Sequence, residues 1–229
     1  MWDSEGRGNG LACHQALTLI EVLVVVAILA IVAMLVGPLM VYHPDRAPKI
    51  QCLNNLREMG TSFRLWADEN NNSYPMQFVG NTNYPHLTPA RSKNGSPFAY
   101  AEVSKYFRAM SNELSTTRIV VCPSDSRAAA SNFFLLQDIN ISYFVGQDAD
   151  ASNPKMLLAG DRNLMIDSAL AETGILSIYP TNTVTWSRRI HNESGNVTFA
   201  DGSAQKLSSR QLRAAIQNTG TNVNRLVFP

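Results

Sequence analysis

From Leu17 to Tyr42 the chain runs for 26 residues with one formal charge, the carboxylate of Glu21. At 1.5 Å per residue a helix of that length reaches about 39 Å, more than the roughly 30 Å of a bilayer's hydrocarbon core, so the segment is long enough for one membrane pass. It is too long for a cleaved secretory signal, and Ala27, Ala30 and Ala33 lack the small-x-small spacing of a cleavage site. Cys13 precedes the apolar run, whereas a lipoprotein cysteine follows one, so lipidation is not expected. A carboxylate is expensive in lipid and as a rule has a partner there. Glu21, close to the start of the run, therefore needs a reason.

The rest of the 229 residues holds enough apolar side chain for one modest domain, and a formal net charge of +1 supplies no basic field for nucleic acid. Three prolines, Pro38, Pro44 and Pro48, predict a break or kink near 37–48. A second helix restarts at Asp45 as N-cap, with Ile50, Leu53, Leu56, Met59, Phe63 and Trp66 at spacings of three and four. Asn70 to Ser73 ends it.

Beyond Tyr74 the expectation is α+β: a helix near Tyr100 to Met110, and short strands at Arg118 to Val121, Ser142 to Val145, Lys155 to Ala159 and Leu176 to Tyr179. Asp201-Gly202 between Asn196–Ala200 and Ser203–Leu207 predicts a tight hairpin. Ser208 or Ser209 then caps a short helix with Leu212 and Ile216 on one face, stopped by Gly220.

Ala16-Leu17-Thr18-Leu19-Ile20-Glu21 and the apolar helix after it resemble the prepilin signal of type IV pilins and type II secretion pseudopilins. The resemblance implies cleavage by prepilin peptidase between Ala16 and Leu17, N-methylation of Leu17, and Glu21 as the fifth mature residue; Ala16 stands where these proteins usually have glycine. Pro38 then falls at mature position 22, where pilin helices commonly carry proline. Glu21 becomes tolerable when a neighbouring subunit's terminal amine lies beside it, which makes it an assembly residue. Cys52-Leu-Asn-Asn-Leu-Arg57, Cys122-Pro-Ser-Asp125, Ala159-Gly-Asp-Arg162, His191 with Asp201-Gly202, and Thr221 to Leu226 are similar to segments of prepilin-type proteins related to pseudopilin G.

These lines give an expected organisation: leader 1–16, transmembrane and assembly helix 17–43, amphipathic stalk 44–73 and an α+β head 74–229 with a small antiparallel sheet. The resemblance places the chain in a bacterial inner membrane by a single pass with the head periplasmic, and later in a filament. Its expected partners are prepilin peptidase, other pilin or pseudopilin subunits, the inner-membrane assembly platform and membrane lipid.

In an oxidising compartment Cys52 and Cys122 can pair, closing a loop worth about 4 kcal/mol in the chain-entropy model. Cys122, His191 and Asp201 include the residue types of a catalytic triad, but no nucleophile motif accompanies them and Asp201 has a turn to make. His191 reads instead as a side chain orienting the loop before the hairpin. Asp148-Ala-Asp150 has a calcium loop's spacing but has Asn153 and Ala159 where an EF-hand has glycine and glutamate. Asp161, Asp167 and Glu172 are the remaining calcium candidates, and no other cofactor is expected. His43, His86 and His191 lack zinc-ligand spacing. The leading expectation is a structural filament subunit rather than an enzyme. The competing one is an anchored periplasmic binding protein with Phe144, Tyr179 and Trp186 lining a carbohydrate or peptide site.

Overall fold

The computed structural model describes residues 18–36, 46–78 and 102–229. Ala16, Leu17, Pro38, His43, Asp45 and His86 lie outside them, as does most of the expected kink. Contacts divide the chain into two units, 1–43 and 44–229.

In the first unit, α1 spans Leu19–Val36. Its side chains from Leu19 to Met34 are exposed on every face, which is not the pattern of a helix lying on a core. Among the described residues no helix is long and apolar enough to cross a membrane. The 18 residues of α1 reach about 27 Å, just under a hydrocarbon core of about 30 Å. The single pass from Leu17 to Tyr42 thus remains an expectation from sequence.

The second unit is α+β. Helix α2, Arg46–Glu69, buries Cys52, Leu56, Met59, Phe63 and Trp66 along one stripe, while Ile50 at its start stays exposed. The helix stops where Asn71 and Asn72 take positive φ of 54° and 57°, and Asn72 N–H reaches back to the Ala67 carbonyl. Short helices α3, Val103–Ala109, and α4, Ser111–Leu114, follow.

Six antiparallel strands form the main sheet: β1 (Tyr143–Gly146), β2 (Leu157–Asp161), β5 (Gly174–Ile178), β7 (Ser194–Phe199), β8 (Ala204–Ser208) and β9 (Asn224–Phe228), in the order β5-β9-β1-β2-β7-β8. A second sheet, β4-β3-β6, is made of Leu164–Ile166 (β3), Ala169–Leu170 (β4) and Val184–Trp186 (β6). The expected single small sheet is therefore two sheets, one of them six strands wide.

Alternation along the strands gives the main sheet two apolar faces. Tyr143, Val145, Leu158, Ala159 and Val227 join the core that α2 closes. Phe144, Val197, Leu226 and Phe228 meet Leu164, Val184 and Trp186 of the second sheet and Leu212 and Ile216 of α5, Ser209–Asn218. Ser208 caps α5 in a reciprocal box with Gln211, and Gly220 follows at φ 73°.

Two local expectations change. Residues Thr117–Val120 form a 3-10 turn, because Thr116 caps it by accepting from the Arg118 N–H, which overrides the strand preference of Ile119 and Val120. The β7–β8 hairpin has a three-residue loop, Ala200-Asp201-Gly202, instead of two: Phe199 N–H donates to the Ser203 carbonyl at 2.8 Å, and Gly202 takes φ 84°. Asp-Gly serves this bulged loop as readily as a two-residue one, because both need a residue at positive φ.

Candidate functional site

Two places carry chemistry. At the start of α1, Thr18 N–H and Oγ1 both donate to Glu21 Oε2 at 2.8 Å, and Glu21 N–H faces Thr18 Oγ1 at 3.4 Å. This is a capping box, threonine at N-cap and glutamate three residues on, each satisfying the other's free N–H. The Thr-x-x-Glu spacing in the sequence is the signal of that box. Glu21 thus has a partner within its own chain.

The second place is a buried cluster on the α2 side of the main sheet, built from segments far apart in sequence. Cys52 of α2 is bonded to Cys122, with Cα atoms 4.9 Å apart. Asn55, one turn later, donates to the Val121 carbonyl at 2.9 Å and fixes the same segment against α2. Asp161 ends β2, opposite Tyr143 of β1, and is fully buried. Its Oδ2 accepts from Asn196 N–H at 2.6 Å and Asn196 Nδ2 at 2.9 Å.

His191 comes from the turn before β7. Asn163 Nδ2 donates to the Ser187 and Ser194 carbonyls, pinning both ends of that loop, and Ser194 Oγ donates to the His191 carbonyl at 2.7 Å. His191 Nε2 consequently stands 3.3 Å from Asp161 Oδ2 and 3.4 Å from Cys122 Sγ. Burial first, and the Asp161 carboxylate second, hold the Tyr143 phenol well above its ordinary pKa and keep it neutral.

Beside this cluster Arg162 grips Asp125 with both arms, Nε to Oδ2 at 2.7 Å and Nη2 to Oδ1 at 2.8 Å. Burial alone would raise the Asp125 pKa, but the Arg162 hydrogen bonds together with Ser142, the Arg162 charge and the Ser126 N–H outweigh it, and the carboxyl ends below its usual range. Thus Cys52, Cys122-Pro-Ser-Asp125, Ala159-Gly-Asp-Arg162 and His191, scattered along the sequence, meet in one place.

Other sequence candidates separate. Asp201 does not approach as a third triad member; its Oδ1 accepts from Ser203 N–H in the hairpin turn, and the acid beside His191 is Asp161. Cys122 Sγ, being bonded to Cys52, is no nucleophile in this state. The His191 ring sits against Asp161 Oδ2 and Cys122 Sγ through its Nε2.

Asp161, Asp167 and Glu172 do not assemble as calcium ligands. Asp161 is committed to the buried cluster, Asp167 accepts from Asn182 Nδ2 and Thr183 N–H, and Glu172 is exposed. Asp148 is held by Arg225, and Asp150 Oδ1 accepts from the N–H and Oγ of Ser152. Phe144 and Trp186 are core side chains and Tyr179 is exposed, so the aromatic trio lines no common site.

Residues 11–37 match the prokaryotic N-terminal methylation motif. Neither a curated protein nor a solved structure shows a significant match to the chain. The chain thus carries a prepilin-type amino-terminal signal.

Proposed function

We propose that this chain is a pilin-like structural subunit, cleaved by prepilin peptidase between Ala16 and Leu17, held in a bacterial inner membrane by the 17–42 segment, and drawn into a type II pseudopilus or type IV pilus-like filament with its head outside. One observation carries the reading: within the matched methylation motif lies a helix whose side chains from Leu19 to Met34 are exposed all round and whose only charge is Glu21. Such a surface is stable only against lipid or other apolar helices. The head contributes a disulfide-bonded α+β body, and Phe144, Tyr179 and Trp186 do not share the site that the binding-protein alternative would need.

The capping box divides the role of Glu21 into two separable parts. Alone, the chain uses Glu21 to complete the first turn of α1; in a filament its charge would lie beside the methylated amine of Leu17 on a neighbour. Glu21→Gln keeps the cap, since glutamine serves a capping box as glutamate does, but removes the charge. Thr18→Val keeps the charge and removes the cap. Filament incorporation, scored by crosslinking and shearing, is expected to fail for Glu21→Gln and Glu21→Val while Thr18→Val still incorporates; normal incorporation of Glu21→Gln would reduce Glu21 to a helix cap. Mass spectrometry of the mature chain is expected to show methylated Leu17 at its start, and an intact Met1 would refute processing.

A further inference from the structure

The cluster beneath α2 has the composition of a transition-metal site. Cys52 Sγ, Cys122 Sγ and a ring nitrogen of His191 lie within 4.8 Å of one another, all on buried side chains, and Asp161 Oδ2 stands 3.3 Å from Nε2. Zinc bonds of about 2.3 Å to sulfur and about 2.0 to 2.1 Å to nitrogen or oxygen, set at tetrahedral angles, put sulfur and nitrogen about 3.6 Å apart and nitrogen and oxygen about 3.3 Å apart. The sulfur–nitrogen separation here is 3.4 Å, so that edge needs no rearrangement of the fold. The 3.3 Å contact of Nε2 is with Asp161 Oδ2, which brings the carboxylate to the site with its other oxygen, Oδ1, uncommitted.

A second observation points the same way. Asp161 Oδ1 and His191 Nδ1 are buried without a hydrogen-bond partner among the described residues, although such groups are nearly always satisfied. Oδ1 therefore has free lone pairs for a cation while Oδ2 keeps its two bonds from Asn196. Two thiolates, an imidazole and a carboxylate form a donor set suited to zinc-class cations and unsuited to calcium.

We propose that, once the Cys52–Cys122 bond is reduced, Cys52, Cys122, His191 and Asp161 bind one zinc-class divalent cation, so that disulfide and metal are alternative closures of the same junction between α2 and the sheet. With a trialkylphosphine as reductant, the sulfur–sulfur bond accepts two electrons from phosphorus, the phosphine takes its oxygen from water, and the two water protons go to the sulfurs. Cation binding then releases both protons to buffer as the thiols become thiolates. Oxidation forbids the metal, because neither sulfur of a disulfide is a thiolate.

The test uses the full chain in detergent micelles, reduced anaerobically by phosphine and titrated with cobalt(II) and then zinc(II). The reduced chain is expected to develop the visible absorption of tetrahedral cobalt–thiolate, saturating at one cation per chain and bleached by zinc. The oxidised chain should show none, and zinc should raise the melting temperature of the reduced chain. His191→Ala and Asp161→Asn are each expected to weaken cobalt binding by at least the roughly tenfold that even an outer-shell loss costs. Absence of the cobalt–thiolate spectrum, an unchanged affinity in His191→Ala, or a reduced wild-type chain whose melting zinc does not raise would each overturn the proposal. The wild-type melting shift decides the matter even if a variant fails to fold.

Discussion

Asp125 and Arg162 show how one pair makes the head sensitive to acid. The Asp125 side chain is 3% exposed, that of Arg162 25%, and the contact is a two-armed fork, the geometry in which a carboxylate gains most from guanidinium. The native pKa of Asp125 lies below its ordinary value, so the folded chain binds its proton less readily than the unfolded chain. Stability from this group is therefore fully present above the unfolded carboxylate pKa, about 3.9, and drains as pH falls through the lower native value. Asp125→Asn should lower stability at neutral pH and flatten the acid limb below about pH 4, read from urea midpoints across pH. An acid limb as steep as wild type would assign that loss to other carboxylates. The sequence brought Asp125 and Arg162 to notice as motif residues, but nothing local joins positions 37 apart. The same holds for Asp161 and His191, whose meeting depends on where β2 ends and where the 187–194 loop is pinned.

At the scale of elements, α2 approaches the β7–β8 hairpin backbone to backbone. A Cβ on Gly60 would lie 2.4 Å from the Gly202 carbonyl oxygen and 2.8 Å from Thr198 Cγ2, and Thr198 Oγ1 donates to the Leu56 carbonyl at 2.9 Å one turn away. Alanine would gain about 0.8 to 1 kcal/mol of helix propensity, but forcing backbone off backbone costs about 1 to 3 kcal/mol. Gly60→Ala should thus destabilise the head by up to about 2 kcal/mol in guanidinium unfolding, the clash outweighing the propensity. A stabilised variant would show that the loop gives way without loss. The apolar stripe of α2, the hairpin and the Ser208 cap were legible because each is written in neighbouring residues. The hairpin's third loop residue was not, since Asp-Gly is compatible with either length, and the second sheet was invisible because strands of two or three residues carry no alternation to read.

The whole molecule combines α1, exposed from Leu19 to Met34, with a head whose first core begins at Cys52 and whose second begins at Phe144 among the described residues. No residue before Cys52 belongs to either apolar cluster among the described residues, and the division between the units falls after His43. The sequence expectation starts the head at residue 74 and gives 44–73 to the stalk, while α2 closes the first core with Leu56, Met59 and Phe63 and carries one end of the disulfide. It belongs to the head as much as any strand does. Two truncations separate these pictures. A chain beginning at Pro44 should fold with the full-length head's near-ultraviolet dichroism, keep the Cys52–Cys122 bond, and melt within a few degrees of the intact protein in detergent, since it retains every residue of both cores. A chain beginning at Tyr74 loses five fully buried side chains of α2, Cys52, Leu56, Met59, Phe63 and Ala67, together with its tie to the sheet through Thr198. At about 2 to 5 kcal/mol for each large side chain removed, the loss approaches or exceeds the whole stability of an ordinary domain, about 5 to 15 kcal/mol. The shorter chain should therefore show no cooperative melt, whereas a cooperative transition from it would return α2 to the stalk.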